Sequence, residues 1–120
     1  MPEHHGKIHW SELSTPNTQA ARDWAAAQFG WTYSEMPMAE GGTYYIASVG
    51  DTPVAGIMPP PPGAPEQPMW TTYVAVSDVD AVAKAAPSIL QEPFDIPNVG
   101  RIAMIIDGGG APLGIMTPAG

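Results

Sequence analysis

Trp70–Ala86, WTTYVAVSDVDAVAKAA, changes its hydrophobic period once, at Ser77-Asp78. Ahead of that point the residues are mostly β-branched or aromatic, the composition of a strand. Beyond it Val79, Val82, Ala83 and Ala86 recur at helical spacing and form one apolar stripe. Ser77 or Asp78 supplies the cap that opens the helix, and Pro87 closes it. The stretch therefore reads as a strand turning directly into a helix.

The first half of the chain carries the same unit in weaker form. Lys7–Ser14, KIHWSELS, alternates as a strand, with Ile8, Trp10 and Glu12 on one face and His9, Ser11 and Leu13 on the other. Thr15-Pro16-Asn17 reads as a capping hydroxyl followed by proline at the first helical position. Ala21, Trp24, Ala25 and Phe29 form a helical stripe within Thr18–Phe29, and Gly30 is placed to end it. Strands follow at 31–36, 43–49 and 54–58, the last two joined at Gly50-Asp51-Thr52. The second half repeats this order, with a helix stripe at 79–86 and strands at 88–91, 101–106 and 113–116. An irregular loop is expected over 92–100. The strand RIAMII, 101–106, scarcely alternates and reads as buried on both faces.

The halves also match in letters. PVAGIMP at 53–59 resembles PLGIMTP at 112–118, and Trp10 and Trp70 each open a first strand. An offset near 60 residues points to duplication of one supersecondary unit. The expected organisation is one domain over 1–120, with a first βαβββ module at 7–58, a proline-rich linker at 59–68 and a second module at 69–118. Residues 1–6 read as a loose terminus. The linker PPPPGAPEQP favours a stiff polyproline II spacer.

Composition narrows the partners. The net charge is -8 and only four cations are present, Lys7, Arg22, Lys84 and Arg101. Phosphate recognition needs clustered Lys and Arg, so neither nucleic acid nor an anionic membrane is an expected partner. No apolar run is long enough to span a bilayer, and no signal peptide opens the chain, so a cytoplasmic location is expected. With no cysteine, disulfides and thiolate metal sites are excluded.

Taken together, Trp10-Ser11-Glu12-Leu13, Phe29-Gly30-Trp31, Trp70 with Tyr73-Val74-Ala75-Val76, Ser77-Asp78-Val79-Asp80 and Val99-Gly100-Arg101-Ile102-Ala103 resemble the vicinal oxygen chelate superfamily. That superfamily includes glyoxalases, bleomycin-resistance proteins and extradiol dioxygenases. The resemblance implies an α+β fold of two tandem βαβββ modules. Their strands form a cupped mixed sheet around a small-molecule cavity, with the helices outside, often in a homodimer. It also implies metal ligands on the first and last strands of each module. Carried over by position, these fall on Gly56 and Gly114 in the last strands, on Thr71 in the second module's first strand, and on Trp10 or His9 in the first. Glycine donates no side chain, so no cofactor is expected, and a divalent metal would lack its usual ligands.

Other candidate residues follow from their chemistry. His4, His5 and His9 are the only histidines. In a strand the last two lie about 13 Å apart, too far to share a metal. Glu12 beside Trp10 in an apolar pocket would be a desolvated carboxylate suited to general-base work, or a rim glutamate paired with Arg101. Tyr73 and Thr71 share a strand face and serve as pocket lining. Arg101 would hold an anionic ligand or pair with a nearby carboxylate. The triglycine 108–110 lacks the Lys and Ser/Thr of a phosphate loop. Trp24, Trp31 and Trp70 read as core or interface.

The leading expectation is a metal-free small-molecule binder using Trp10, Glu12, Thr71, Tyr73 and Arg101. The alternatives are an enzyme, metal-dependent or Glu12-based (lyase, isomerase or dioxygenase), and a purely structural dimerisation module.

Overall fold

The computed structural model of the 120-residue chain describes residues 5–38, 41–60, 63, 66–96 and 100–119. Its elements are β1 (Ile8–Ser14), α1 (Thr18–Phe29), β2 (Thr32–Pro37), β3 (Thr43–Val49), β4 (Thr52–Met58), β5 (Met69–Ala75), α2 (Val79–Ala85), β6 (Ser88–Ile96), β7 (Gly100–Ile106) and β8 (Pro112–Pro118). The α+β class and the tandem βαβββ order are therefore present. The chain forms two compact units, one of Trp10–Trp70 and one of Met1–His9 with Thr71–Gly120. Of the proline linker, residues 61, 62, 64 and 65 lie outside the described residues, as does His4.

In the first unit β1 runs parallel to β4, and β4, β3 and β2 follow as an antiparallel meander. Cα register sets Glu12 opposite Gly56 and Leu13 opposite Ile57. Helix α1 opens at Asn17, whose side chain accepts the Ala20 N–H at 3.0 Å. Thr15 plays a different part from the expected cap: its buried hydroxyl accepts the Asn17 N–H, which leaves Pro16 ahead of the helix. Gly30 ends the helix in the left-handed conformation and returns its N–H to Ala26. The guanidinium of Arg22 lies 3.8 Å over the Tyr45 ring, and the Tyr33 hydroxyl donates to the Arg22 carbonyl, tying the helix to β2 and β3. Burial raises the pKa of the Tyr33 phenol.

The second unit repeats the plan, with β5 parallel to β8 and an antiparallel run β8, β7, β6. Register pairs Tyr73 with Gly114 and Val74 with Ile115. Helix α2 opens at Asp78, which accepts the Ala81 N–H. Its face, Val79 and Ala83, closes on Val76, Ala103, Ile105 and Ile115 in one buried apolar cluster. Strand β7 alternates after all, because Ala103 and Ile105 are buried and their neighbours half-buried.

Two further expectations change. Strand β6 continues through Pro93 to Ile96, where a loop was expected from residue 92. Two register shifts, between Ile89 and Gln91 and between Gln91 and Phe94, absorb the proline that cannot donate to the ladder. Residues 5 and 6, expected to belong to a loose terminus, are held together with Lys7. The Gly6 N–H donates to Ala75 O, the Ala75 N–H to Lys7 O, and the Ser77 N–H to His5 Nδ1 at 2.9 Å.

Two carboxylates are expected to make the second unit acid-sensitive. Asp107 accepts the Ala111 and Gly109 N–H groups in the glycine turn, and these bonds hold its carboxyl below the usual range. The Arg101 guanidinium does the same for Asp80. A depressed folded-state pKa adds stability that is present above the ordinary carboxylate range and lost as pH falls through the folded value. Tm is therefore expected to hold from neutrality to about pH 5 and to fall below about pH 4. Asp107→Asn should flatten that fall, as thermal melts across the pH series would show.

Candidate functional site

Alternation along β1 and β4 sorts the first unit's side chains into two sets. Leu13 and Ile57 line a pocket with α1 residues, so Trp10, Glu12 and Gly56 occupy the face away from the helix. Tyr44 of β3 joins them there. Its hydroxyl accepts the Trp10 indole N–H at 2.9 Å and donates to Glu12 Oε2 at 2.8 Å. The half-buried triad orients the carboxylate and fixes the indole through one shared phenol. Phenol-to-carboxylate is a charge-assisted bond, among the stronger kinds a side-chain set can make.

Gly56 makes the triad possible. A Cβ at this position would run into the Tyr44 hydroxyl. The second unit has the same device in another form, since a Cβ at Gly114 would run into the Tyr73 ring. Tyr73 is buried, and Thr71 is half-buried two residues before it on the same strand face. Register fixes the repeat: Glu12 and Tyr73 each face the glycine of a last strand, so Trp10 corresponds to Thr71. Trp70 corresponds to His9, not to Trp10 as the shared indole suggested.

The carboxylate positions that the superfamily resemblance assigns to a metal are thus glycines, and tyrosine side chains occupy the space a substituent would need. These residues do not fit a metal ion. Among the described residues no group of three or more His, Asp or Glu side chains is placed to hold one. His9 lies on the other side of β1 from Glu12, and His5 accepts from the Ser77 backbone.

Arg101 is engaged elsewhere. Its guanidinium meets Asp80 through Nε and Nη2 at 2.8 and 2.9 Å and Asp95 through Nη1 at 3.2 Å. These bonds, that to Asp80 first, raise its pKa further. Register puts Arg101 in step with Ala103 and Ile105, on the α2 side of the sheet and away from Tyr73.

The triad's face presents an indole and a carboxylate oriented by the Tyr44 hydroxyl. Arg22 is the only Lys or Arg between residues 10 and 70, and it lies over Tyr45 on the α1 side. The arrangement is chemically suited to a hydrogen-bond donor or a cation. Tyr44 had no separate sequence signal, because it sits in a β-rich run, TYYIASV, where either tyrosine is ordinary strand composition. The glycine at 56 was the available clue.

No family model matches the chain. A Mycobacterium tuberculosis protein named "Putative glyoxylase CFP32" is 41% identical over 117 residues, 92% of this chain and 45% of that protein. The Streptomyces peucetius "Anthracycline biosynthesis protein DnrV" is 36% identical over 110 residues, 88% of this chain and 39% of its own length. The chain spans about half the length of the curated relatives it matches, or somewhat less. Among solved structures, methylmalonyl-CoA epimerase from Mycobacterium tuberculosis superposes with a TM-score of 0.66 at 15% identity, covering 100% of this chain and 93% of that one. At that identity the likeness is one of fold.

Proposed function

We propose that this chain, which belongs to the vicinal oxygen chelate superfamily, binds a small neutral or cationic molecule without a metal. The ligand lies on the sheet face carrying Trp10, Glu12 and Tyr44. One observation supports the reading: at Gly56, the position to which the superfamily resemblance assigns a carboxylate ligand, the Tyr44 hydroxyl fills the space a side chain would need. Stacking on Trp10 and a donor bond to Glu12 then supply the binding that coordination would otherwise provide. Thr71 and Tyr73 occupy the equivalent strand positions of the second module. Arg101 is assigned to structure, because two carboxylates already take its guanidinium.

Two relatives' names suggest different chemistry, a glyoxylase and a protein of anthracycline biosynthesis. A flat, hydroxylated aromatic fits an indole beside a carboxylate better than a small carbonyl substrate does. The superfamily also supplies the expectation of sequestration in the bleomycin-resistance manner by a cytoplasmic homodimer, which sedimentation of the purified protein addresses. No described helix is long and apolar enough to cross a membrane.

The test has two steps. Protein purified without chelator is analysed for metals, then titrated with 1,4-dihydroxyanthraquinone and with the anionic anthraquinone-2-sulfonate. The reading expects well under 0.1 equivalent of metal and tighter binding of the hydroxylated probe. It also expects roughly tenfold weaker binding in Glu12→Gln or Tyr44→Phe, the worth of a charge-assisted bond. About one equivalent of iron, zinc, nickel or manganese per chain would sink it.

A further inference from the structure

The helix side of the first unit holds a second, differently built site. A pocket of about 330 Å³ is lined wholly by apolar side chains, with Leu13 and Ile57 as its floor and Trp24, Phe29, Trp31 and Trp70 as its walls. The four rings run in sequence, with centroids 5.4, 5.3 and 6.5 Å apart and interplanar angles of 89°, 54° and 78°. Edge-to-face and tilted contacts leave ring faces unstacked. Trp24, Phe29 and Trp70 are 61, 54 and 52% exposed, a large commitment of aromatic surface to solvent. Trp10 spends its indole N–H on Tyr44. Among the described residues the indole N–H groups of Trp24, Trp31 and Trp70 meet no acceptor.

We propose that this pocket binds a flat aromatic small molecule carrying a hydrogen-bond acceptor, independently of the triad on the opposite face. Volume and area select the occupant. About 300 Å³ is the lower end of small-molecule sites. The exposed parts of Trp24, Phe29 and Trp70 amount to roughly 400 Å², about half of the roughly 800 Å² per partner that a stable protein interface buries. Open ring faces stack a planar ligand, and an unspent indole N–H pairs with its acceptor. Anions gain nothing here, because no cation lines the pocket.

Quinoline and naphthalene, equal in shape but differing in a ring-nitrogen acceptor, are the probes. The four indole N–H resonances, assigned by single Trp→Phe substitutions, report the site. Quinoline is expected to shift the signals of Trp24, Trp31 and Trp70 saturably while that of Trp10 stays in place. Naphthalene should bind about threefold to tenfold more weakly, the worth of one hydrogen bond. Trp24→Ala, at an exposed helix position, should weaken quinoline about tenfold and leave the Trp10 signal as a check on folding. The proposal is overturned by shifts confined to Trp10, by the absence of any saturable shift, or by unchanged affinity in Trp24→Ala. It is equally overturned if the three signals move with protein concentration in the absence of probe, because a second copy would then be the occupant.

Discussion

Gly56→Glu is expected to give a protein that takes up no metal and is less stable by about 1–3 kcal/mol, the usual cost of overpacking a filled site. A carboxylate at this position, where the superfamily resemblance assigns one, is not expected to hold a metal, because the first atom of the new side chain meets the Tyr44 hydroxyl. Moving Tyr44 breaks both of its hydrogen bonds, to Trp10 and to Glu12. The cost therefore combines steric and polar losses. A double-mutant cycle separates them. In a Tyr44→Ala background the space is open, so Gly56→Glu should cost markedly less than in the native chain. Urea melts of the four proteins give the coupling energy. Equal costs in both backgrounds would remove Tyr44 as the reason for the glycine.

Ile115→Ala is expected to cost about 2–5 kcal/mol, and Ile57→Ala less, although both side chains are 1% exposed. The two occupy equivalent positions beside Gly114 and Gly56. Their surroundings differ. Ile115 is enclosed by Val76, Val79, Ala83, Ala103 and Ile105, which leaves a truncated side chain as a closed void. Ile57 borders the aromatic pocket, where neighbouring rings and solvent can move into the vacated space. Unfolding free energies for the two variants would order the units by packing. A larger loss at Ile57 would show that the pocket walls are rigid.

Much of this architecture was legible because local signals agreed. Asp78 and the stripe through Val79 and Ala83 announced α2, and Gly30 announced the end of α1. Where reading failed, a second interaction outweighed the local one. Pro93 looked like a strand end, but bulges carry β6 past it. Trp24 and Phe29 fell on the apolar stripe of α1, yet both stand exposed, since only Ala25 of that helix is buried. The site was half visible. Glu12 and Trp10 were suggested by their shared strand face and Gly56 by its missing side chain. The phenol joining them comes from β3, 32 residues from Glu12, and strand pairing alone brings it there.

Residues 5–7 have a consequence for anyone dividing the chain. The linker at 59–68 invites a cut, and a fragment starting at Met69 would contain every strand and helix of the second module. It would nevertheless lack the donors and acceptors that His5, Gly6 and Lys7 bring to Ala75 and Ser77 from about 70 positions upstream. Such a fragment should fray where β5 runs into α2, and adding the first dozen residues back as a separate peptide should restore order there. During synthesis the same residues emerge about 70 positions ahead of the partners they pair with. The two compact units divide within β1, between His9 and Trp10, and within β5, between Trp70 and Thr71.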